Sequence, residues 1–346
     1  MLPELCLGLV ILGVTAYGVL GSADFGAGFW DLTAGGAERG DRLRGMVKHS
    51  MGPVWEANHV WLIFVLVIFW TAFPGAFGPV METLYVPLFF AALGIILRGA
   101  AFAVRGEAAT IAEARGLGAI FALSSVLIPF FLGTVIGAIA TGQVPAEGGG
   151  APISSWTGAV PVFIGVLAVV TGALIAAVFL AADSVRAGLP DLVAGFKKRA
   201  LGAAVTAGGL ALGGILLVRD QAPDLYDGLT SGTGLAMVIV SAVAGVVTLA
   251  LVWRERFGLA RFTAAAAVGA IIVGWGLAQR PDFLPGELSF EQAAAGDATL
   301  TALLISVGAG LIVLVPSLVL LYRLVLSGRL DTEFRPITAG DPPDGH

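Results

Sequence analysis

The sequence predicts an all-α membrane protein that crosses the bilayer about nine times. Of its 346 residues, 57% are hydrophobic and only 12% are charged, and the mean hydropathy is +0.93. A soluble globular protein carries about 25% charged residues, so this composition excludes a water-soluble fold. A run of about 20 apolar residues crosses a ~30 Å hydrocarbon core as a helix. The backbone there must be helical because lipid cannot hydrogen-bond the polar groups of an exposed strand edge.

Nine apolar runs are long enough to span the membrane. They cover approximately residues 5–29, 53–73, 77–98, 117–141, 157–182, 200–218, 233–253, 262–279 and 298–326. We expect residues 1–346 to form one integral membrane domain that ends in a short cytoplasmic tail at residues 331–346. Nine spans can form two four-helix bundles plus one peripheral helix. The single cysteine, Cys6, cannot form an internal disulfide.

The distribution of basic residues supports this number of spans and predicts an orientation. Of the 19 Lys and Arg residues, all but Arg219 and Arg280 fall at the ends of runs 1, 3, 5, 7 and 9 or in the segments that follow them. A wrong number of spans would destroy this alternation. Cytoplasmic loops carry the excess of Lys and Arg, so we expect the N-terminus outside the cell and the C-terminus in the cytoplasm.

Asp24 lies near the predicted cytoplasmic end of the first run, within the glycine-rich stretch at residues 21–28. A carboxylate at mid-bilayer costs about 2.5–3.5 kcal/mol on insertion scales, so it usually faces the protein interior. The glycines allow another helix to approach closely. Two roles remain open from the residues alone: a carboxylate that handles protons or adjoins a quinol, or an acid that pairs with a loop arginine.

A second acid, Glu56, lies about one turn into the second run, which begins at Pro53. Proline suits the first helical turn, where its missing N–H is not needed, and the positive end of the helix dipole favours an ionised carboxylate there. His59 lies three positions after Glu56 and shares its face, and histidine exchanges protons near neutral pH. The pair is either a cytoplasmic proton intake or a polar cluster that fixes helix contacts.

Other polar and aromatic residues lie near these acids. A supporting cluster on the second run comprises Trp55, Asn58 and Trp61. The two indoles are either walls of a cavity around Glu56 or anchors at the membrane interface. Two basic residues, Arg98 and Arg105, flank the predicted cytoplasmic end of the third run. We interpret them as helix-end charges that set the topology and contact phospholipid.

The residue inventory argues against redox centres within this chain. It has three histidines and five methionines, and haem sites in helical bundles need axial His or Met inside the bundle. His49 lies in a predicted cytoplasmic loop and His346 is the last residue. We expect no catalytic residue, metal ligand or haem ligand here. The basic clusters fit membrane topology rather than nucleic-acid binding.

Three stretches in the first third of the chain carry recognisable motifs. They are GSADFGAG at residues 21–28, PVWEANHVW at residues 53–61, and AFP at 72–74 with LYVP at 84–87 and LRGAAFAVR at 97–105. Together they resemble subunit II of the cytochrome bd-type quinol oxidases, including the cyanide-insensitive branch. The second stretch, similar to that family's Trp-Asp/Glu-x-Asn-x-Val-Trp motif, is the most specific. Gly21 and Ser22 stand where the family has Asp-Gly, and His59 stands where Gln is frequent.

The resemblance implies the haem-free subunit of a complex in a prokaryotic cell membrane that oxidises a quinol and reduces dioxygen to water. Haems b and d would be held by subunit I, the principal partner. A small single-helix accessory subunit and a structural quinone or lipid are compatible with the family. By its motifs, Glu56 corresponds to an acid on a cytoplasmic proton path towards haem d, and Asp24 to the helix-1 acid. We expect Glu56, Asp24 and His59 to form the proton path.

Two other functional classes remain alternatives: a proton-coupled secondary transporter and a purely structural membrane scaffold. A transporter would favour broken helices with acids at the membrane midplane, whereas Asp24 and Glu56 lie near one face. Replacing Glu56 distinguishes an oxidase subunit from a scaffold, because only the first would lose oxygen consumption.

Overall fold

The computed structural model describes residues 1–35, 37–51, 55–104 and 110–327, excluding the side chains of residues 37–39, 51, 55–57, 111, 322, 325 and 326. The predicted tail at residues 331–346 lies outside the described residues. The described helices are α1 (Leu2–Leu32), α2 (Ala37–Met51), α3 (Trp55–Ala72), α4 (Pro74–Thr83), α5 (Tyr85–Val104), α6 (Ile111–Ala140), α7 (Ala159–Arg186), α8 (Pro190–Gln221), α9 (Pro223–Thr230), α10 (Gly232–Trp253), α11 (Phe257–Ala278), α12 (Phe290–Ala293) and α13 (Asp297–Leu326). A short antiparallel hairpin joins β1 (Asp282–Leu284) and β2 (Leu288–Ser289).

Eight helices in the described part are long and apolar enough to cross a membrane: α1, α5, α6, α7, α8, α10, α11 and α13. Helix α3 adds a ninth candidate when it is counted together with α4, the short helix that follows it. The prediction of an all-α protein with about nine spans is therefore confirmed.

The limits predicted for the third run, residues 77–98, are wrong. The first part of that run belongs to the short helix α4, which follows a sharp bend of the chain. Helix α4 begins at Pro74 and is bent by 118° from α3. Proline suits the first turn of a new helix and disfavours the helical conformation at the residue before it. Phe73 accordingly has φ −130° and ψ 56°. The spanning helix is instead Tyr85–Val104.

The spans pack as two groups of four with one helix outside them. Helix α1 packs against α3 and α6, and α6 packs against α5. In the second group α7 packs against α8 and α11, and α10 packs against both α8 and α11. The groups meet where α7 lies along both α1 and α6, while α13 contacts α3 and α1 from outside. This arrangement agrees with the predicted two bundles and one peripheral helix.

Small residues let α1 approach its neighbours closely at the level of Asp24. A methyl group added at Gly26 would overlap the carbonyl oxygen of Gly172 on α7, and one added at Gly28 would overlap the side chain of Ser125 on α6. Small residues at helix interfaces allow this backbone proximity inside membranes. The glycine-rich stretch of α1 is therefore a packing surface that brings α6 and α7 next to Asp24.

The end of the bundle at which α1, α5, α7 and α10 finish is called the basic end, because Lys and Arg concentrate there. Helix α2 lies across it and buries Leu43, Met46 and Val47 in the core cluster shared with α7 and α8. Ion pairs connect the elements at this end: Asp31–Arg44 at 2.9 Å, Arg42–Asp191 at 2.7 Å and Lys197–Glu255 at 2.7 Å. The first two pairs connect α2 to the end of α1 and to the start of α8, and the third connects α8 to the turn after α10.

At the opposite end the β-hairpin and α12 pack beneath the turn between α3 and α4. The ring of Phe283 stacks on that of Phe69 with centroids 5.0 Å apart. The N–H of Ala295 donates to the carbonyl of Ala72 at 2.8 Å. These contacts hold the bend at the end of α3 in one geometry.

We expect Gly26→Ala to lower the free energy of unfolding by about 1–3 kcal/mol, the usual cost of overpacking a tight interface. Gly8→Ala is the matched control, because a methyl group at Gly8 on the same helix meets no atom of this chain within 4 Å. Thermal unfolding of the purified chain in detergent measures the difference. Equal midpoints for the two variants would contradict the close approach of α1 and α7.

Candidate functional site

Asp24 is buried inside the first bundle and is fixed by a side chain from α3. It is 2% exposed, and Asn58 is 3% exposed. The Nδ2 of Asn58 donates to Oδ2 of Asp24 at 2.6 Å and to the carbonyl of Leu20 at 3.2 Å. The amide therefore joins α3 to α1 and supplies one of the donors that a buried carboxylate needs.

Arg98 enters the same interior from α5. Its side chain is 2% exposed, its Nε donates to Oγ of Ser125 at 3.0 Å, and its Nη2 donates to the carbonyl of Asp24 at 3.3 Å. The guanidinium lies over the rings of Phe25 and Phe121, 5.2 and 5.0 Å from their centroids. The arginine is thus held by hydrogen bonds and by aromatic rings from α1 and α6.

The interpretation of Arg98 as a phospholipid contact is wrong. An arginine presents five donors, and the interior between α1, α5 and α6 supplies acceptors, aromatic faces and an opposite charge. Arg98 and Asp24 interact electrostatically. A charge buried in a membrane bundle usually pairs with another charge or with carbonyls, and Arg98 binds the carbonyl of Asp24.

His59 and Tyr17 complete the cluster on the side of α3. The ring of His59 meets those of Tyr17 and Phe25 edge-on, with centroids 6.3 and 6.1 Å apart. His59 also interacts electrostatically with Asp24. The structure therefore brings His59 and Asp24 together. Tyr17 was missed from the sequence, although it precedes Asp24 by two helical turns and so lies on the same face of α1.

The remaining predicted residues divide into two groups. Trp61 is half-buried, and its described ring contact is with Phe64 at 5.8 Å. Helix α3 includes Trp55 and Glu56, but their side chains lie outside the described part. All of Arg105 lies outside it. Their predicted roles remain predictions.

A cavity of about 70 Å³ opens beside Asp24, between α1, α2, α3 and α7. Its polar lining consists of Asp24, Asn58, Ser50 and Asp183, and its apolar lining includes Ala27 and Phe179. About 10–15 Å³ of space open to water is enough to admit one molecule when polar partners are present, so this cavity can hold several. A water-filled space that joins two carboxylates can conduct protons.

Sequence reasoning missed Ser50 and Asp183. Asp183 lies just past the predicted end of the fifth run, at 157–182, where an acid beside basic residues is typical of a solvated loop. Ser50 lies one residue before the end of α2, the helix that covers the basic end. The packing of α1 against α7 brings Asp183 towards Asp24, and the packing of α2 against α1 and α7 brings Ser50 there. Among the described residues, no three His, Cys, Asp or Glu side chains converge to hold a metal ion.

Fold and site together define a polytopic helical membrane protein whose interior carries charged groups and, near its basic end, a cavity with a few polar groups in a mainly apolar lining. The chain belongs to the family of cytochrome bd terminal oxidase subunit II, because the sequence model of that family matches residues 2–325. The family and the apolar helices together establish a multi-pass membrane protein.

Individual relatives agree with this assignment. The chain is 29% identical over 112 residues to the cytochrome bd ubiquinol oxidase subunit 2 of Bacillus subtilis (strain 168). The aligned residues are 32% of this chain and 32% of that protein. It is 29% identical over 119 residues to a putative cytochrome bd menaquinol oxidase subunit II of the same organism, covering 34% of this chain and 33% of that one. These matches span about a third of the length of either curated relative.

A solved structure resembles nearly the whole chain. It is described as the structure of bd oxidase from Geobacillus thermodenitrificans, with a TM-score of 0.76 and 25% sequence identity. The match covers 94% of this chain and 99% of that one. The similarity therefore extends beyond the amino-terminal motifs to the complete set of helices.

We expect Arg98→Met to destabilise the chain by about 3–5 kcal/mol, because it leaves a buried carboxylate without its counter-charge. Combining it with Asp24→Asn is expected to recover about 0.5–3 kcal/mol relative to the sum of the two single effects. Unfolding free energies of the four proteins in a double-mutant cycle measure this coupling. Strict additivity would contradict an electrostatic pairing of Asp24 and Arg98.

Proposed function

We propose that this chain is the haem-free subunit II of a bd-type terminal oxidase that oxidises a membrane quinol and reduces dioxygen to water. Its family membership supports the complex, and the buried carboxylate beside a polar cavity supports a task within it. The task is to carry protons for water formation from the cytoplasm towards the site of oxygen reduction. The main observation behind the proposal is that Asp24 and Asn58 line the same cavity near the basic end.

The partners follow from the division of labour in such a complex. A haem-bearing subunit I would hold the b and d haems and the quinol oxidation site, and a small single-helix subunit would be a further component. Haem groups bound there supply the electron transfer and the oxygen chemistry. This chain supplies support and proton delivery in a prokaryotic cell membrane.

The orientation of the proposed path follows from the positive-inside rule. The rule assigns the basic end to the cytoplasm, so the N-terminus lies outside and the C-terminus inside. Asp24, Asn58 and Arg98 then lie towards the cytoplasmic half of the bundle. Glu56, at the start of α3 on the same side, is the proposed first acid, and His59 lies between it and Asp24 along the path.

Each described residue has a separate part in this proposal. The carboxylate of Asp24 accepts a proton from water in the cavity and releases it deeper into the bundle. Asn58 fixes that carboxylate by its 2.6 Å hydrogen bond. Arg98 holds α5 against α1 at this level, because its guanidinium donates to the backbone carbonyl of Asp24.

A purely structural scaffold is the second candidate, and one observation favours it. Asp24 has both a hydrogen-bond partner and a counter-charge in the interior. A carboxylate satisfied in this way also serves helix packing alone. A proton-coupled transporter has less support, because the described acids of the cluster lie towards one end of the bundle rather than at its centre.

We expect Asp24→Asn to lower the turnover number for oxygen by roughly 100-fold, the lower range for loss of a proton-transfer group, with the KM for quinol unchanged. Glu56→Gln is expected to act in the same direction. Oxygen consumption by the purified complex measures both, and its haem absorption spectrum confirms assembly.

Asp31→Asn is the matched control, since Asp31 is also a buried carboxylate of α1 but pairs with Arg44 and does not line the cavity. An assembled, haem-bearing complex that turns over normally with Asp24→Asn would leave the scaffold as the better function. Failure of the chain to purify with any haem-bearing partner would refute the oxidase role itself.

A further inference from the structure

We propose that Asp183 forms the inner mouth of the cavity, at the seam between α1 and α7, and that protons pass from the inner solution through its carboxylate to the water beside Asp24. The inference rests on the proposed proton path and adds a residue to it. It also extends the entrance of the path from the start of α3 to the boundary between the two helix bundles.

The cavity has one buried end and one that reaches the surface. Asp24 and Asn58 at the first end are 2% and 3% exposed. Asp183 lines the same cavity, and its side chain is 12% exposed. It lies one turn before the end of α7, which is at the basic end. Among the carboxylates that line the cavity, Asp183 is therefore the one in contact with the inner solution.

Two arginines fix Asp183 at this position. Nη2 of Arg186, on the same helix, lies 2.7 Å from Oδ1 of Asp183, and Nη1 of Arg261, on α11, lies 3.8 Å from the same oxygen. Because both contacts are made to Oδ1, the second carboxylate oxygen can bind water in the cavity. The guanidinium of Arg261 also lies over the ring of Phe179, 5.5 Å from its centroid, and that ring forms part of the cavity wall.

The charged groups that face Asp183 come from three helices. The two guanidinium groups from α7 and α11 stabilise the anion, and Asp24 faces the cavity from α1. A proton taken from the inner solution onto the carboxylate passes to cavity water and then to Asp24. Only the proton moves, because the O–H bond formed on Asp183 breaks when cavity water accepts that proton.

A neighbouring carboxylate shows what an ion pair at the same end looks like without a cavity. Asp191, at the start of α8, pairs with Arg42 at 2.7 Å, and its side chain is 51% exposed. It is absent from the cavity lining. Asp183 and Asp191 are therefore alike in residue type, in their pairing with arginine and in their location at the basic end. They differ in that only Asp183 lines the cavity.

The experiment compares Asp183→Asn, Asp183→Glu and Asp191→Asn in the purified oxidase complex reconstituted into vesicles. We expect Asp183→Asn to lower oxygen turnover and proton uptake by at least roughly tenfold, with the KM for quinol and the haem spectrum unchanged. Asp183→Glu keeps the carboxylate and should restore most of the rate. Asp191→Asn should behave as the unmodified protein.

Unchanged turnover with Asp183→Asn, alongside slow turnover with Asp24→Asn, would overturn this inference and leave the proposed path intact. Normal turnover of both variants would refute the proposed proton path itself. Ser50 provides a second test if Asp183→Asn does not assemble, because it lines the same mouth from α2. Ser50→Leu should slow turnover by filling the mouth, whereas Ser50→Ala should not, and equal rates for these two would also overturn the inference.

Discussion

The burial of a carboxylate and a guanidinium in the same membrane bundle is the constraint on which the rest of the structure depends. Asp24 and Arg98 are each 2% exposed, so bulk water does not solvate either side chain. Each must therefore obtain its partners from other helices, and the partners come from α3 and α6. The first bundle can close only in a register that brings these four helices to one point.

Glycine makes that register sterically accessible. At Gly26 and Gly28 the backbone of α1 lies directly against α7 and α6, and no larger residue fits there. Helices in lipid gain no hydrophobic driving force from packing on one another, so close approach and polar contacts must hold them together. The same approach creates the seam with α7, where the cavity connects Asp24 to Asp183.

The sequence was sufficient to predict what composition and local pattern determine. The span count and the roles of Asp24 and Asn58 as interior polar groups follow from apolar length and from the cost of charge in lipid. The division into two groups of helices was only one arrangement that nine spans allow, and the packing of the helices establishes it. The sequence could not predict the partners of Arg98, because an arginine near a span end is usually solvated and only tertiary contacts bury it. Asp183 was missed for the same reason, and the break at Phe73 was missed because the apolar run continues through it.

Direction is central to the proposed function, because a bd-type oxidase builds a potential only if protons for water formation come from the inner side. Vesicles with all complexes oriented alike, loaded with a pH indicator on one side, report that direction during a pulse of oxygen. The account predicts that the protons disappear from the side that faces the basic end, where Asp183 and the cavity lie. Proton disappearance from the opposite side, at the same rate of oxygen consumption, would contradict it.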